Sequence, residues 1–499
     1  MRHEPGTLDP STPILVGVGV AHHTPPAGVD ATTELPDPID LMAEASSAAM
    51  DDATSARRAE LARRIATVAV PEGNWGFGDP GRLVADRLGL GEVRTVRVEI
   101  GVPQHTPLRV ALQAIAAGEI DAALVVGGEA KASQLASTRA GGTAAWTEPD
   151  GAEPDERWWP SGEIMAEPEI AAGIWAPVEQ YACIDVALRH AEGVGVDEHL
   201  DQIARLWHGF NEVAAGRPDS AFGEPRTEVF LRRAGPGNRP LAFPYAKWHS
   251  TQWAVDQAGA MVLCSVGLAR ELGIPTDRWV FPRVAIESSF SVSLTRRERM
   301  GEWPAMAVLG RAAEAHLGRP LSEVEHAEVY SCFPAAVRVQ QRALGLPVDG
   351  VPTVLGGMAF AGGPFNNFTY QATHAVVGRV REQPGTLGLV TTVSGLLTKP
   401  ALAVWSAEPG PSLVDDLAAD AEAATGVREV TGTAQGSGTV ASLTVTYAGD
   451  VPGGAFVVAD LPDGRRWIGT SADVELWDRA CTEELVGTEV RIDGTSCRL

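Results

Sequence analysis

The sequence predicts an α/β fold built around buried sheets. Short apolar runs rich in β-branched residues, such as ILVGVGVA at 14–21, ATVAV at 66–70 and DAALVVGGEA at 121–130, are typical of buried strands. They alternate with alanine-rich stretches of helical character, such as DLMAEASSAAMDDA at 40–53. Strand–helix alternation of this kind indicates a layered α/β protein with its sheet covered by helices.

Two segments share one layout, which suggests an internal duplication. Residues 101–130 run from Gly-x-Pro through a polar stretch and an alanine-rich helix into a strand that ends in glycines. Residues 362–395 run from Gly-Gly-Pro through FNNFTYQ and a second helix into LGLVTTVSG. Because any two βαβ units look somewhat alike, duplication and chance likeness are both open at this point.

The helix in the first of these segments is marked at both ends. Thr106 is the expected N-cap, and Pro107 suits the first helical position. Apolar residues then recur on one face, and Gly118 is expected to end the helix.

The rest of the chain predicts an insertion and a separate tail. Residues 131–244 are less regular, with helical stretches at 176–193 and 197–215, and an insertion of this size is typical of a lid or substrate domain. After Trp405 the sequence predicts a linker and a short acidic helix near 413–424. Alternating strand-like runs follow, and Pro-Asp-Gly at 462–464 predicts a hairpin turn. The predicted domains are an N-terminal half (1–275, containing the 131–244 insertion), a C-terminal half (276–408), a linker (409–427) and an additional β domain (428–499).

Composition excludes several classes of protein. A chain of 499 residues with 44% hydrophobic and 21% charged residues is typical of a soluble globular protein. Its formal charge of −24 disfavours nucleic acid and anionic membranes as partners. No apolar run is long enough for a membrane span, and the polar start MRHEPGTLDP is unlike a signal peptide. Five scattered cysteines without a CxxC pair argue against disulfides and a metal site, so we expect a cytoplasmic protein.

Five motifs resemble those of thiolases. GGMAFAGGPFNN (356–367) resembles the signature Gly-Gly-x-x-x-x-Gly-His-Pro, and GLVTTVSG (388–395) resembles the strand and turn that carry Cys-x-Gly. EVYSCFP (328–334) resembles the segment holding Asn-Glu-Ala-Phe, or His-Asp-Cys-Phe in sterol-carrier-protein-type thiolases. IGVPQHTP (100–107) resembles the nucleophile loop, and VDQAGAMVLCS (255–265) resembles the strand that closes the first half.

The resemblance covers about residues 12–408 and is greatest to sterol-carrier-protein-type thiolase-like proteins, which are acetyl-CoA acetyltransferase-like. It implies a thiolase fold, which is a duplicated five-layered αβαβα body with an inserted loop domain, here followed by a small OB-like β domain. The implied ligand is CoA or an acyl-CoA, without a tightly bound cofactor. Because the chain is so acidic, a CoA site needs a local patch of arginines and helix N-termini. Thiolases dimerise through the strand before the nucleophile loop, here VRTVRVEI at 93–100, but charges on an edge strand also discourage pairing. Homodimer and monomer both stay open.

The resemblance also implies a catalytic cysteine that this chain lacks. A thiolase needs a low-pKa cysteine at a helix N-terminus. The matching loop contains Gly101, Gln104 and His105 but no cysteine. His105 is expected to be a partly exposed loop histidine, with a base or ligand role as the alternative.

The remaining catalytic positions depart from the family pattern as well. The activating histidine falls on Gly363, and the acid/base cysteine falls on Val393. The residue that holds a catalytic water falls on Tyr330, which could act as an acid or base or could simply fill the pocket. Cys332 is interpreted as a buried structural thiol. The candidate catalytic residues are Tyr330, His105 and Ser331, and the residues expected to line the thioester pocket are Gly101, Gln104, Cys332, Gly362, Gly363, Pro364, Asn366, Val393 and Ser394.

Three functional hypotheses follow. The first is a thiolase-like protein that binds acyl-CoA, or an acyltransferase with altered chemistry, without standard thiolase activity. The second is a retro-aldolase that acts on β-hydroxyacyl-CoA with Tyr330, since aldol cleavage needs a base and an oxyanion site but no nucleophile. The third is a non-catalytic scaffold whose tail docks onto a partner enzyme.

Overall fold

The computed structural model of the protein describes residues 8–499. The strands, numbered along the chain, are β1 (Pro13–His23), β2 (Ile65–Pro71), β3 (Arg94–Val98), β4 (Ala122–Ala130), β5 (Glu156–Trp158), β6 (Pro240–Ala242), β7 (Tyr245–Ala246), β8 (Asp256–Ser265), β9 (Phe281–Glu287), β10 (His326–Glu328), β11 (Leu387–Ser394), β12 (Lys399–Ser406), β13 (Leu413–Asp416), β14 (Val430–Thr431), β15 (Ala434–Ala448), β16 (Val451–Asp460), β17 (Arg466–Ser471), β18 (Glu489–Gly494) and β19 (Ser496–Arg498). The helices are α1 (Pro38–Thr54), α2 (Arg58–Ala62), α3 (Pro80–Leu88), α4 (Thr106–Ala116), α5 (Lys131–Arg139), α6 (Glu167–Ala172), α7 (Pro177–Ala191), α8 (Val196–Ala215), α9 (Glu228–Arg232), α10 (Val266–Glu271), α11 (Pro304–Leu317), α12 (Pro334–Ala343), α13 (Phe368–Glu382), α14 (Ala418–Ala424) and α15 (Val474–Ala480). None of the helices in this range is long and apolar enough to cross a bilayer.

The first sheet has six strands in the order β1-β8-β4-β2-β3-β5. Every residue of β4 and β8 is buried, because helices cover both faces of these central strands. The predicted strands at 14–21, 66–70 and 121–130 are confirmed as β1, β2 and β4, and the predicted helix at 40–53 is confirmed as α1.

The second sheet has the order β10-β11-β12-β9-β13 and repeats the pairing of the first. In the first sheet β2 runs parallel to β4, β4 antiparallel to β8, and β8 antiparallel to β1. In the second, β10 runs parallel to β11, β11 antiparallel to β12, and β12 antiparallel to β9. Four strands with the same directions and the same order confirm the predicted internal duplication.

Two helices lie between the sheets and define the middle layer. Helix α13 contacts β1 and β8 of the first sheet and β11 and β12 of the second, and α4 contacts β4, β8 and β9. Leu112 and Ile115 of α4, and Val376 and Val380 of α13, are completely buried there. Helices α1 and α3 cover the outer side of the first sheet, and α11 covers the second. The result is the predicted five-layered αβαβα body.

The tail forms a small closed β barrel. Its strands pair in the circular order β15-β16-β17-β19-β18 and back to β15, with α15 between β17 and β18. This is the predicted small OB-like domain. The predicted hairpin turn is confirmed between β16 and β17, where Gly464 has a left-handed φ of 89°. Strands β6 and β7 come from the insertion and extend this sheet through the pair Thr446 and Ala242.

The barrel packs directly on the thiolase-like body. Arg466 is buried and donates to the backbone carbonyl of Thr295 (3.4 Å), while its Nε pairs with Asp460 (2.7 Å). Ser442 donates to the Cys183 carbonyl of α7 at 2.7 Å. These bonds satisfy polar groups that docking removes from water, so the barrel is held in one orientation.

One predicted helix is partly wrong. Residues 413–416 form β13, which pairs in parallel with β9, and the helix is limited to α14. The edge of β9 presents unpaired backbone groups, and a short extended segment nearby satisfies them. Local sequence could not show this because the pairing joins positions more than 100 residues apart.

The free edge of β3 is also covered. Strand β5, from the insertion, pairs in parallel with β3, with Val96 opposite Glu156 and Val98 opposite Trp158. Strand β3 lies within the segment at 93–100, which resembles the strand through which thiolases dimerise.

Candidate functional site

The loop that resembles the nucleophile loop leads into α4, between the two sheets. Thr106 does not cap this helix as predicted, because the N-cap residue is His105, which makes no side-chain capping bond. The Thr106 hydroxyl instead donates to the buried Glu287 carboxylate at 3.0 Å, and a charged acceptor makes the stronger bond. Gly118 ends the helix as predicted, with φ of 71° and its N–H bonded to the Ile115 carbonyl.

His105 is not the partly exposed histidine that the sequence suggested. Its side chain is 1% exposed, and its Nε2 atom has no hydrogen-bond partner in the part of the chain that the structure describes. Burial, and then the charge of Arg109, lower the pKa of His105 to about 3. The imidazole is therefore neutral at physiological pH, and tertiary packing rather than the loop sequence decides this.

Gln104 connects the candidate residues. Its Nε2 amide donates to the Tyr330 hydroxyl at 3.4 Å, and its Oε1 accepts the Thr369 backbone N–H at 3.2 Å. The Gln104 carbonyl accepts the Tyr370 hydroxyl at 3.0 Å. Burial raises the pKa of Tyr330 well above its ordinary value, so the phenol stays neutral. The structure thus brings the nucleophile-like loop, Tyr330 and the start of α13 together through uncharged groups.

The position that resembles the activating histidine has no room for a side chain. A Cβ atom on Gly363 would lie 2.2 Å from Cγ2 of Thr251. Gly362 has φ of 98°, and a Cβ there would lie 2.7 Å from the Gln257 amide. The carbonyl of Pro364 accepts the Asn367 N–H at 3.1 Å and so shapes the start of α13. Thr251 occupies the volume that an imidazole would need.

Hydrogen bonds or strand pairing hold the other predicted pocket residues in place. Ser331 accepts the Met358 N–H at 3.0 Å, and Asn366 donates to the Glu72 carbonyl at 3.0 Å. Val393 is buried opposite Pro400, and Ser394 is half-buried opposite Lys399. Burial raises the pKa of the Cys332 thiol to about 12, so this cysteine is not a thiolate. The arrangement can bind a ligand by neutral hydrogen bonds, and it offers no ionised nucleophile.

The charged groups near the loop lie on its other side, and sequence analysis missed them. Lys399 is completely buried, and its ammonium donates to the Gly101 carbonyl at 3.0 Å. Glu287 pairs with Arg109 at 2.9 Å, and burial raises the pKa of Glu287 to about 7. These groups line a cavity of about 290 Å³. One feature of the sequence could have drawn attention to Lys399, because the chain has only three lysines.

A larger cleft, of about 700 Å³, lies between the barrel and the body. Helices α7, α11 and α12 contribute to it, together with barrel residues such as Val440. Its basic residues are His190, Arg299, Arg342 and Arg466, and its acidic residues are Glu192, Glu298, Glu302 and Asp460. Arg299 is the most exposed of the arginines, with 73% of its side chain accessible.

No family model matches the chain, and no curated protein matches it. Among solved structures, the monomeric SCP2-thiolase-like protein type 1 from Mycobacterium smegmatis is similar, with 26% identity, a TM-score of 0.82 and coverage of 98% of this chain and 99% of that one. The Ltp2–ChsH2(DUF35) aldolase is 18% identical, with a TM-score of 0.59 and coverage of 80% and 99%. The dimeric peroxisomal thiolase of Saccharomyces cerevisiae is 15% identical, with a TM-score of 0.55 and coverage of 81% and 99%.

The aldolase and the peroxisomal thiolase are similar to this chain in fold, at 18% and 15% identity. The similarity to the SCP2-thiolase-like protein covers 98% of this chain and therefore includes the barrel. Together with the duplicated five-layered body, these similarities show that the chain has the thiolase fold and is similar over 98% of its length to an SCP2-thiolase-like protein.

Proposed function

We propose that this protein binds a CoA thioester without forming a covalent acyl-enzyme. The observation that carries the proposal is the packing of Thr251 against Gly363, which fills the place of an activating histidine beside a loop that has no cysteine. A thioester bound there would meet Gln104 and Tyr330, both neutral. Neutral donors can hold a carbonyl oxygen, but they cannot attack it.

The backbone supports binding of a thioester at this place. Helices α4 and α13 both begin near this loop, and the Thr369 N–H at the start of α13 is bonded to Gln104, so the positive ends of two helix dipoles lie in one region. Gly101 and Gly362 have φ values of 96° and 98°, which side-chain-bearing residues rarely adopt. Both features favour an electron-rich oxygen between the helix ends.

The cleft between barrel and body is our candidate for the CoA nucleotide. It is lined by α7 of the insertion and by four basic side chains, but also by carboxylates: Glu302, Glu192 and Asp460 pair with Arg299, Arg342 and Arg466. A nucleotide phosphate would bind these arginines in competition with their carboxylate partners. Helix α12 begins at Pro334, just after Tyr330, and Arg342 lies about 12 Å further along its axis. A ligand could therefore reach from the cleft towards Tyr330 along this helix.

Isothermal titration at low salt with CoA, acetyl-CoA and octanoyl-CoA tests the proposal. We expect saturable micromolar binding that favours the acylated forms, and no covalent adduct by intact-mass spectrometry. Acylation of the protein would contradict the non-covalent mechanism. No binding of any thioester would favour the scaffold hypothesis, in which the barrel docks a partner enzyme.

An arginine variant tests the position of the nucleotide. Arg299→Ala should weaken CoA binding about tenfold or more, because it removes a cation from the cleft and Arg299 makes only an exposed pair with Glu302. Arg139→Ala, on the surface of α5, is the matched control and should bind CoA like the wild type. Equal effects of the two variants would place the nucleotide elsewhere.

A retro-aldolase acting on β-hydroxyacyl-CoA is the second candidate. Tyr330 favours it, as a buried hydroxyl in contact with Gln104, and one structural neighbour is described as an aldolase. The raised pKa of Tyr330 makes the phenol a better hydrogen-bond donor than base, which counts against a role in removing the β-hydroxyl proton. Turnover of 3-hydroxyoctanoyl-CoA by the wild type that is lost in Tyr330→Phe would establish this candidate instead of simple binding.

We also propose that the protein is a monomer in the cytosol. Strand β5 occupies the edge of β3, and the Asp155 carboxylate accepts the Thr95 N–H at 2.7 Å, which fastens the covering strand. A covered edge cannot pair with a second subunit. Light scattering should give a mass near 52.5 kDa, and twice that mass would contradict the proposal. The five free thiols favour a reducing compartment.

A further inference from the structure

The cavity on the charged side of the loop has the features of a second ligand site. It has a volume of about 290 Å³ and is bounded by the α4 loop, the segment after β5, and the ends of β9, β12 and β13. Its walls are largely apolar, formed by Val102, Pro103, Val110, Trp158 and Pro160. The charged residues that line it are Arg109, Glu287, Lys399 and Asp416.

Three of the four charged groups are already satisfied within the protein. Arg109 and Glu287 pair with each other at 2.9 Å. The Asp416 carboxylate accepts backbone N–H groups of Ser289 (3.1 Å) and Ala418 (3.0 Å). These contacts leave little capacity for a ligand at these side chains.

Lys399 is the exception. Its ammonium can donate three hydrogen bonds, yet within residues 8–499 it makes one, to the Gly101 carbonyl, and no carboxylate lies within 4.0 Å of it. The side chain is completely buried. A buried charge without a counter-ion is costly, and burial lowers the pKa of Lys399 only to about 8, so the amine is still largely protonated at pH 7.

The turn that presents Lys399 is strained. Leu396 and Leu397 both have left-handed backbone angles, with φ of 61° and 58°, which are rare for residues other than glycine. The surroundings hold the turn in place, because Arg297 donates to the Leu396 carbonyl at 2.6 Å and Leu397 is completely buried. Strain that is maintained by packing in this way is typical of functional segments.

We propose that this cavity binds a short-chain carboxylate, whose carboxyl group pairs with the Lys399 ammonium and whose hydrocarbon tail lies against Trp158 and Pro160. The anion supplies the counter-charge that the protein does not provide. The apolar walls then remove the tail from water. This ligand differs from the CoA thioester proposed above, and the two sites lie on opposite sides of the loop at 101–106.

Titration of the full-length protein with butyrate at pH 7 tests the inference, with butyramide as an uncharged ligand of the same shape. We expect saturable binding of butyrate and at least tenfold weaker binding of butyramide. Lys399→Met should weaken butyrate binding at least tenfold, whereas Lys131→Met, which removes a lysine outside this cavity, should leave it unchanged. Equal binding of the two ligands, or equal binding by Lys399→Met and the wild type, would overturn the proposal.

A second variant keeps the test decisive if Lys399→Met does not fold. Val110 is half-buried in the cavity wall, and Val110→Trp should fill the cavity while leaving Lys399 in place. We expect this variant to lose butyrate binding and to retain octanoyl-CoA binding. Unchanged butyrate binding by Val110→Trp would place the ligand elsewhere. Because octanoyl-CoA is titrated separately, failure of the thioester proposal does not decide this one.

Discussion

The two sides of the loop from Gly101 to Thr106 differ in charge and in packing. On one side, which we call the sealed side, Gln104 and His105 lie among the neutral groups of Tyr330, Thr369 and Ala285, and the charge of Arg109 helps to lower the pKa of His105. On the other, which we call the open side, the loop borders a cavity with four charged side chains. A single loop of six residues thus separates two environments of opposite character.

This contrast shows that backbone shape and side-chain chemistry are independent in this fold. The loop retains its geometry through positive φ at Gly101 and through the hydrogen bond that the Tyr370 hydroxyl of α13 donates to the Gln104 carbonyl. The sealed side surrounds the loop with buried, uncharged groups, and their low polarity disfavours an ionised nucleophile there. The open side keeps charges because each acid there has a partner and the cavity admits water.

The largest expected effect comes from forcing a side chain into the sealed side. Gly363→His should destabilise the protein by about 3 kcal/mol in urea unfolding, because its Cβ alone would overlap Cγ2 of Thr251. Gly378→His, on α13, is the control and should change stability by less than about 0.5 kcal/mol, since a Cβ there meets nothing within 4 Å.

A companion substitution sharpens this result. Thr251→Ser removes Cγ2 and should restore part of the stability of Gly363→His. If Gly363→His alone were as stable as the wild type, the sealed side would have room for an imidazole, and the contrast between the two sides would fail.

Because of Glu287 on the open side, the free energy of unfolding should fall as the pH rises. In the folded protein Glu287 has a pKa of about 7, against an ordinary 4.5. Between these values the folded state holds a proton that the unfolded state has lost, so stability falls with rising pH by about 1.4 kcal/mol per unit. Glu287→Gln should remove this component, measured as the difference in unfolding free energy at pH 5 and pH 7. An unchanged slope would mean that Glu287 is not buried as the structure places it.

Because of His105 on the sealed side, the free energy of unfolding should rise as the pH rises. Burial lowers the pKa of His105 to about 3 from an ordinary 6.5, so between these values the unfolded state binds the extra proton. Stability from the neutral imidazole is therefore complete above pH 6.5 and is lost as the pH falls, by up to about 1.4 kcal/mol per unit. His105→Gln should reduce the loss seen between pH 6.5 and pH 5, and a steeper loss in the variant would contradict the assignment.

The smallest expected effect is at Tyr330. Its hydroxyl makes one long bond, 3.4 Å from the Gln104 amide, so Tyr330→Phe should change the unfolding free energy by less than about 1 kcal/mol. Binding of octanoyl-CoA should weaken by roughly two- to tenfold, because the variant loses one of the neutral donors proposed to hold the thioester oxygen. A loss of 3 kcal/mol or more would show that the phenol supports the sealed side much more strongly than this single contact indicates.

Much of the fold could be predicted from local pattern. Strands such as β1 and β4, helices such as α1 and α8, and the hairpin of the barrel follow from periodicity and turn residues, because each depends on residues close in sequence. The thiolase-like body followed from motif order. Gln104 and Tyr330, which the sequence placed among the candidate site residues, lie within 3.4 Å of each other, and the pocket itself stays a prediction.

The errors have a common physical origin. Thr106 looked like a cap because the Glu287 carboxylate, which it bonds instead, lies 181 residues away in sequence. His105 looked exposed because loops usually are, whereas this one lies between two sheets. In each case a distant partner determined the environment.

The sequence by itself determined the layered α/β body, the β-rich tail and the absence of cysteine from the nucleophile-like loop, since these depend on residue type and local spacing. It left the duplication open until the strand pairing of the two sheets was known. Only the tertiary structure decided which spaces are filled and which charges are paired. Thr251 closes the place opposite Gly363, β5 covers the edge of β3, and Lys399 is buried with no counter-ion among residues 8–499. The physical reason is that packing volume, strand pairing and burial are properties of neighbours in space, which chain folding brings together from distant positions.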